Sequence, residues 1–171
     1  MISNISIHPK TMFKNALNIQ DFSFKSHTST AIIGTNGAGK STLINTILGI
    51  RSDYNFKAQN NNIPYYDNVI PQRKQLGVVS NLFNYPPGLN ANDLLIRLSN
   101  LISLRNTQQL TSIIATHDPI VLDSCEWVLL LKNGNIAQYK PLNSILKSVA
   151  KTFNFKEKPT TKDLLALLKD I

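Results

Sequence analysis

One stretch of the chain is built for holding phosphate: Gly34-Thr35-Asn36-Gly37-Ala38-Gly39-Lys40-Ser41-Thr42. Gly34, Gly39, Lys40 and Ser41 satisfy the spacing G-x-x-x-x-G-K-[ST], and each residue type has a physical role. The glycines at 34, 37 and 39 permit backbone angles that turn successive N–H groups inward around phosphate oxygens. A helix starting near Lys40 adds the partial positive charge of its N-terminus. Lys40 supplies a point charge for β- and γ-phosphates, Ser41 offers a hydroxyl ligand for Mg²⁺, and Thr42 helps to orient a phosphate. The ligand this pattern implies is ATP with Mg²⁺. A glycine-rich turn matching by chance is the alternative, and the flanking elements decide against it.

Those elements are legible. Ser29 to Ile33 is a short apolar, β-branched run that ends at Gly34, as a buried strand entering a tight turn would. After Ser41, apolar residues at Leu43, Ile44, Ile47 and Leu48 form one helical face, and Gly49 stands in the C-terminal capping position. Asp53 to Pro71 reads as loops or a weak hairpin, Leu76 to Val79 as a short strand, and 92–110 as a helix. Ser112 to Ala115 reads as a strand and Pro119 to Cys125 as a short helix. Trp127 to Leu131 and Ile136 to Tyr139 form a hairpin around Asn133-Gly134, a pair suited to a type I′ turn. A last amphipathic helix is expected from about Thr161 to Leu168, opened by Thr160 or Thr161 with Asp163 in its first turn. Strands alternating with helices predict an α/β fold with a mainly parallel sheet flanked by helices.

The bulk properties agree with one domain. The chain has 171 residues and 42% apolar composition, enough for a real core. No apolar run reaches the roughly 20 residues of a membrane span, and Met1 to Lys10 lacks the pattern of a signal peptide. These features, with a single cysteine at Cys125, predict a soluble protein of a reducing compartment. The formal charge of +8 is spread out, with no run of like charges and no basic patch interleaved with aromatics. It reads as a solvated basic surface rather than a nucleic-acid site.

The wording of the glycine loop is more specific than the bare motif: it resembles the ATP-binding subunit of ABC transporters. Further segments follow in that family's order across roughly residues 5 to 140. Asn18 to Phe24 sits where the family has the strand before its loop. Lys74 to Asn81, with Tyr85-Pro86 and Ala91 to Leu94, resembles the Q-loop region, and Ile114 to Asp118 resembles the switch-histidine segment. Ser124 to Gly134 resembles the strand pair that follows. The resemblance implies a P-loop NTPase-like fold, His117 on the γ-phosphate placing the attacking water, and Asn81 as a metal ligand beside Ser41. It implies a membrane permease and a second ATPase subunit, in a homo- or heterodimer, as partners. It also implies a cytoplasmic location on the inner face of a membrane. The matched residues make 1–171 one ABC-type nucleotide-binding domain, with 148–171 as a C-terminal helical extension.

The departures from the family pattern are concrete. Asn81 replaces the Q-loop glutamine, and only Phe13 lies near the place of the adenine-stacking aromatic. A gap at about 92–111 stands where the family has a helical subdomain, the signature motif, the Walker B acids and the D-loop, so the fold is truncated. Gly88 is the only glycine between Gly77 and Gly134, so no Gly-Gly signature exists. Asp93 is the only acid between Asp67 and Asp118, and the two glutamates, Glu126 and Glu157, both follow the histidine. ATP binding should therefore survive better than turnover. A non-catalytic nucleotide-binding module, or a degenerate remnant, is the alternative function; an ATPase acting on nucleic acid is a third. Two structural expectations follow. Asp118 should cap the helix after His117. With no Walker B strand beside them, Ile113 and Ile114 should lie on a sheet edge that the C-terminal segment or another chain covers.

Overall fold

In the computed structural model the described residues are 2–11, 16–60, 63–65, 111–153 and 159–167. The chain opens with strand β1 (Ile2–Pro9), in which Ile5 and Ile7 alternate inward and are fully buried. Strand β2 (Ile19–Phe22) and β3 (Ser29–Ile33) follow, then helix α1 (Lys40–Ile47). Strands β4 (Tyr54–Asn60) and β5 (Ile63–Tyr65) pair antiparallel, so the weak hairpin expected after Asp53 is present over these residues. Beyond residue 110 come β6 (Ser112–Ala115), the short helix α2 (Pro119–Asp123), β7 (Trp127–Lys132), β8 (Asn135–Pro141), α3 (Leu142–Phe153) and α4 (Thr161–Leu167). The strand expected at Leu76 to Val79 and the helix expected at 92–110 lie outside the described residues.

These strands make two sheets. One is antiparallel in the order β2-β1-β4-β5; the other has the order β6-β3-β7-β8. In the second, β3 runs parallel to both β6 and β7, while β8 turns back antiparallel through the Asn133-Gly134 hairpin. All five residues of β3 are buried, as a strand covered on both faces requires.

Two cores form on the two faces of that second sheet. On one face Ile32, Leu129 and Leu131 meet Leu43 and Ile47 of α1 and the inner residues Ile5, Ile7, Tyr54 and Phe56 of the antiparallel sheet. On the other, Ala31, Ile33 and Val128 meet Leu122 of α2, Leu142, Ile145 and Leu146 of α3, and Leu164 and Leu165 of α4. Burying each such leucine contributes about 1.5–3 kcal/mol. The C-terminal helices are thus one layer of the domain. Helix α3 begins at Leu142, directly after Pro141, and its Leu142, Ile145, Leu146 and Val149 repeat at helical spacing along the face turned to the sheet.

Helix α4 starts where the sequence places it, and Thr160 is its cap. The Thr160 N–H donates to Asp163 Oδ2 at 2.7 Å, and the Leu164 N–H donates to the Thr160 carbonyl at 3.1 Å. The Asp163 N–H returns a bond to Thr160 Oγ1 at 3.4 Å, so Thr160 and Asp163 form a reciprocal N-terminal box. At the other margin, β6 has β3 as its partner among the described residues. Ile113 packs partly into the first core and Ile114 partly into the second. The C-terminal helices therefore meet β6 through its face rather than along its hydrogen-bonding edge.

Candidate functional site

Strand β3 delivers the chain to Gly34 at its C-terminal end, where ligands gather in sheets of this kind. A Cβ on Gly34 would stand 2.4 Å from the Leu131 carbonyl of the neighbouring strand, so the position admits only glycine. Gly37 has φ +78° with nothing within 4 Å of a would-be Cβ; there the backbone angle, not space, demands glycine. Gly39, at φ +104°, is the left-handed N-cap of α1, and a Cβ would meet Leu17 Cδ1 at 3.3 Å.

Hydrogen bonds fix the carbonyls of the loop. Lys40 Nζ donates to the carbonyls of Gly34 at 2.8 Å and Thr35 at 2.9 Å. The Ala38 N–H closes an internal turn onto the Thr35 carbonyl at 3.2 Å, and the Gly134 N–H donates to the Ala38 carbonyl at 3.2 Å. The Leu43 N–H bonds to the Gly39 carbonyl at 2.8 Å. The amides of Lys40, Ser41 and Thr42 precede that first helical hydrogen bond, and such groups have no intrahelical acceptor. They and the helix dipole suit an anion. Burial lowers the Lys40 pKa, because partial removal from water disfavours its charge. Ser41 and Asn36 are exposed, Thr35 and Thr42 half-buried and Ala38 buried.

His117 comes to the same end of the sheet. Ile32 pairs with Ala115 in the parallel register, and the Thr116 N–H donates to the Ile32 carbonyl at 3.3 Å. His117 lies two residues past the end of β6 and Gly34 one residue past the end of β3, at the same end of the sheet. Asp118 is the N-cap of α2: its Oδ1 accepts from the Ile120 N–H at 2.8 Å. Its carboxylate thus has the structural role expected of it.

Glu126 goes elsewhere. Its Oε2 accepts from the Ser29 N–H at 2.9 Å, at the start of β3, so the length of that strand, about 15 Å, separates it from the loop. Among the described residues no group of three or more His, Cys, Asp and Glu side chains is placed to hold a metal ion. Asn81, Phe13 and Asp93 lie outside the described residues. The backing of the loop by Leu131 and Gly134 is not legible in the sequence. The Asn-Gly pair is its only signal, and that pair speaks for a hairpin and not for what the hairpin touches.

A buried parallel strand, a glycine loop with left-handed turns and a helix opening on Lys40 define a P-loop nucleotide-binding fold of the α/β class. The family model for the ABC transporter matches residues 17–160, and the chain belongs to this family of ATP-binding cassettes. No curated protein matches the sequence. Solved structures resemble it at the level of the fold. An ATP-binding cassette in a dimeric post-hydrolysis state bound to ADP and Pi is 15% identical, with a TM-score of 0.59 over 83% of this chain and 99% of its own. An ATP-binding subunit of an ABC transporter is 15% identical, with a TM-score of 0.64 over 89% and 92%. The protein cbiO1 from Clostridium perfringens, part of the ABC transporter complex cbiONQ, is 16% identical, with a TM-score of 0.61 over 100% of both. Among the described residues no helix is long and apolar enough to cross a membrane.

Proposed function

We propose that this chain is an ATP-binding subunit of an ABC transporter that binds Mg·ATP through Gly34, Thr35, Asn36, Gly37, Ala38, Gly39, Lys40, Ser41 and Thr42. The conformation of the loop carries the reading: its carbonyls are held by hydrogen bonds from Lys40, Ala38 and Gly134, and α1 opens its N-terminus at the end of the loop. Lys40 takes the β- and γ-phosphates by exchanging its hydrogen bonds to the Gly34 and Thr35 carbonyls for phosphate oxygens. The exposed Ser41 hydroxyl, with Asn81 as a second ligand, would hold Mg²⁺, which when bound neutralises phosphate charge. His117, at the same end of the sheet as Gly34, contacts the γ-phosphate and places the attacking water.

Hydrolysis by this chain alone is slow or absent. A carboxylate that activates water contributes roughly 10²–10⁴-fold. Asp118 is engaged as a cap, and Glu126 stands at the far end of β3. In the cell the chain works at the inner face of a membrane, on a permease, beside a second ATPase subunit that supplies the missing signature motif. Mg²⁺-dependent phosphate release by the purified chain, run beside Lys40→Ala, tests this. Robust release that Lys40→Ala abolishes would defeat the claim of poor turnover.

The position of Glu126 also favours a second reading, a nucleotide-binding module without catalysis. It expects ATP binding and no phosphate release even after a complete cassette subunit is added. Release that appears on that addition removes it.

A further inference from the structure

We propose that Gly134, in the turn between β7 and β8, is a positioning residue that aims the Gly39 amide of the phosphate loop. The proposal rests on the reading that residues 34–42 bind nucleotide. Asn133 at φ +50° and Gly134 at φ +78° make the left-handed pair of a type I′ turn. Gly134 is buried, and both of its backbone polar groups are engaged outside the hairpin. Its N–H donates to the Ala38 carbonyl at 3.2 Å, and its carbonyl accepts from the Asn18 N–H at 2.8 Å. Asn18 is fixed in turn, its Oδ1 lying 2.7 Å from His8 Nδ1 on β1.

The consequence follows from the planarity of the peptide group. The Ala38 carbonyl and the Gly39 N–H belong to one rigid unit and point to opposite sides of it. A donor that holds the carbonyl outward therefore holds the N–H inward, toward the concavity at the start of α1. Ala38 itself is 2% exposed, so its carbonyl has little water to turn to if the donor is lost. Without Gly134 the glycine-flanked peptide is free to rotate, and the amide it offers to phosphate rotates with it. The approach is close: a Cβ on Gly39 would come within 3.8 Å of the Gly134 Cα. The β7–β8 turn thus acts on nucleotide through the loop's backbone, without touching the nucleotide.

The test uses the full chain, labelled with ¹⁵N. Gly134→Ala strains the turn and displaces the donor. Replacing Gly134 by glycolic acid removes only the N–H, keeps the backbone free to take φ +78°, and serves if Gly134→Ala does not fold. Ile136→Ala, in the same hairpin and packed on the core, controls for loss of stability. The expected result is a shifted Gly39 amide resonance without nucleotide and a Kd for Mg·ATP raised about 10-fold in the Gly134 variants. Ile136→Ala, compared at a matched loss of Tm, should leave the Gly39 resonance in place and the Kd within about 3-fold of wild type. An unshifted Gly39 amide, or an equal loss of affinity in Ile136→Ala, overturns the proposal. Failure of the wild-type chain to bind Mg·ATP would instead overturn the nucleotide reading, and the amide resonance would still decide the role of Gly134.

Discussion

The Thr116 N–H donates to the Ile32 carbonyl at 3.3 Å, and this contact between β6 and β3 brings the chain before His117 to the end of the sheet where the phosphate loop begins. The role proposed for His117 is on the terminal phosphate rather than on the body of the nucleotide. His117→Ala should leave the Kd for Mg·ATP within about 3-fold of wild type. Phosphate release measured with a complete partner cassette should fall at least about 100-fold. Loss of binding instead would place His117 among the residues that hold the nucleotide.

Of the three loop glycines, Gly34 leaves the least room for a Cβ. Gly34→Ala puts a methyl group 2.4 Å from the Leu131 carbonyl at a residue with φ +153°. The variant should lose about 1–3 kcal/mol of stability by denaturant titration, with nucleotide affinity falling alongside. An unchanged midpoint would mean that β3 and β7 separate here at little cost.

The loop is readable in the sequence because its geometry restricts residue type at each step. Three glycines, a lysine and a hydroxyl at this spacing are what a phosphate cradle demands. Strand β3 and the Asn133-Gly134 hairpin are readable for the same reason, one as an unbroken apolar run and the other as a residue pair needing positive φ. Strand β1 is not, although Ile5 and Ile7 alternate, since a polar stretch with so few apolar positions gives a weak period. Helix α3 is harder to read: polar residues such as the exposed Lys147 interrupt Leu142, Ile145, Leu146 and Val149, which carry its period. The brace from Gly134 to Ala38 joins residues distant in the chain, and no local pattern encodes such a contact.

The C-terminal helices should behave as core. Leu165 is buried against the sheet with Leu122 and Ile145, so Leu165→Ala should cost about 2–5 kcal/mol in chemical unfolding, in a single transition with the rest of the domain. A separate early transition would show that α4 is only loosely attached.

The cap of α4 gives a pH signature. Hydrogen bonds from the Thr160 N–H and hydroxyl hold the Asp163 carboxyl below its ordinary value. The folded pKa being the lower one, the stabilisation is complete above the unfolded value of about 3.9 and is lost as pH falls through the depressed value. Wild type should therefore melt above Asp163→Ala at about pH 7, and the gap should close in strong acid. Thr160→Ala should cost about 1 kcal/mol near neutral pH. A gap of equal size at both pH values would remove the carboxylate from the cap.

The central claim, that residues 34–42 hold the phosphates of Mg·ATP, is tested most directly by equilibrium titration of the purified chain with Mg·ATP beside Lys40→Ala. Saturable one-site binding by wild type, weakened at least about 10-fold in a Lys40→Ala protein of unchanged fold, is the expected result. Equal affinity in the two proteins, or no binding by the folded wild type, would contradict it.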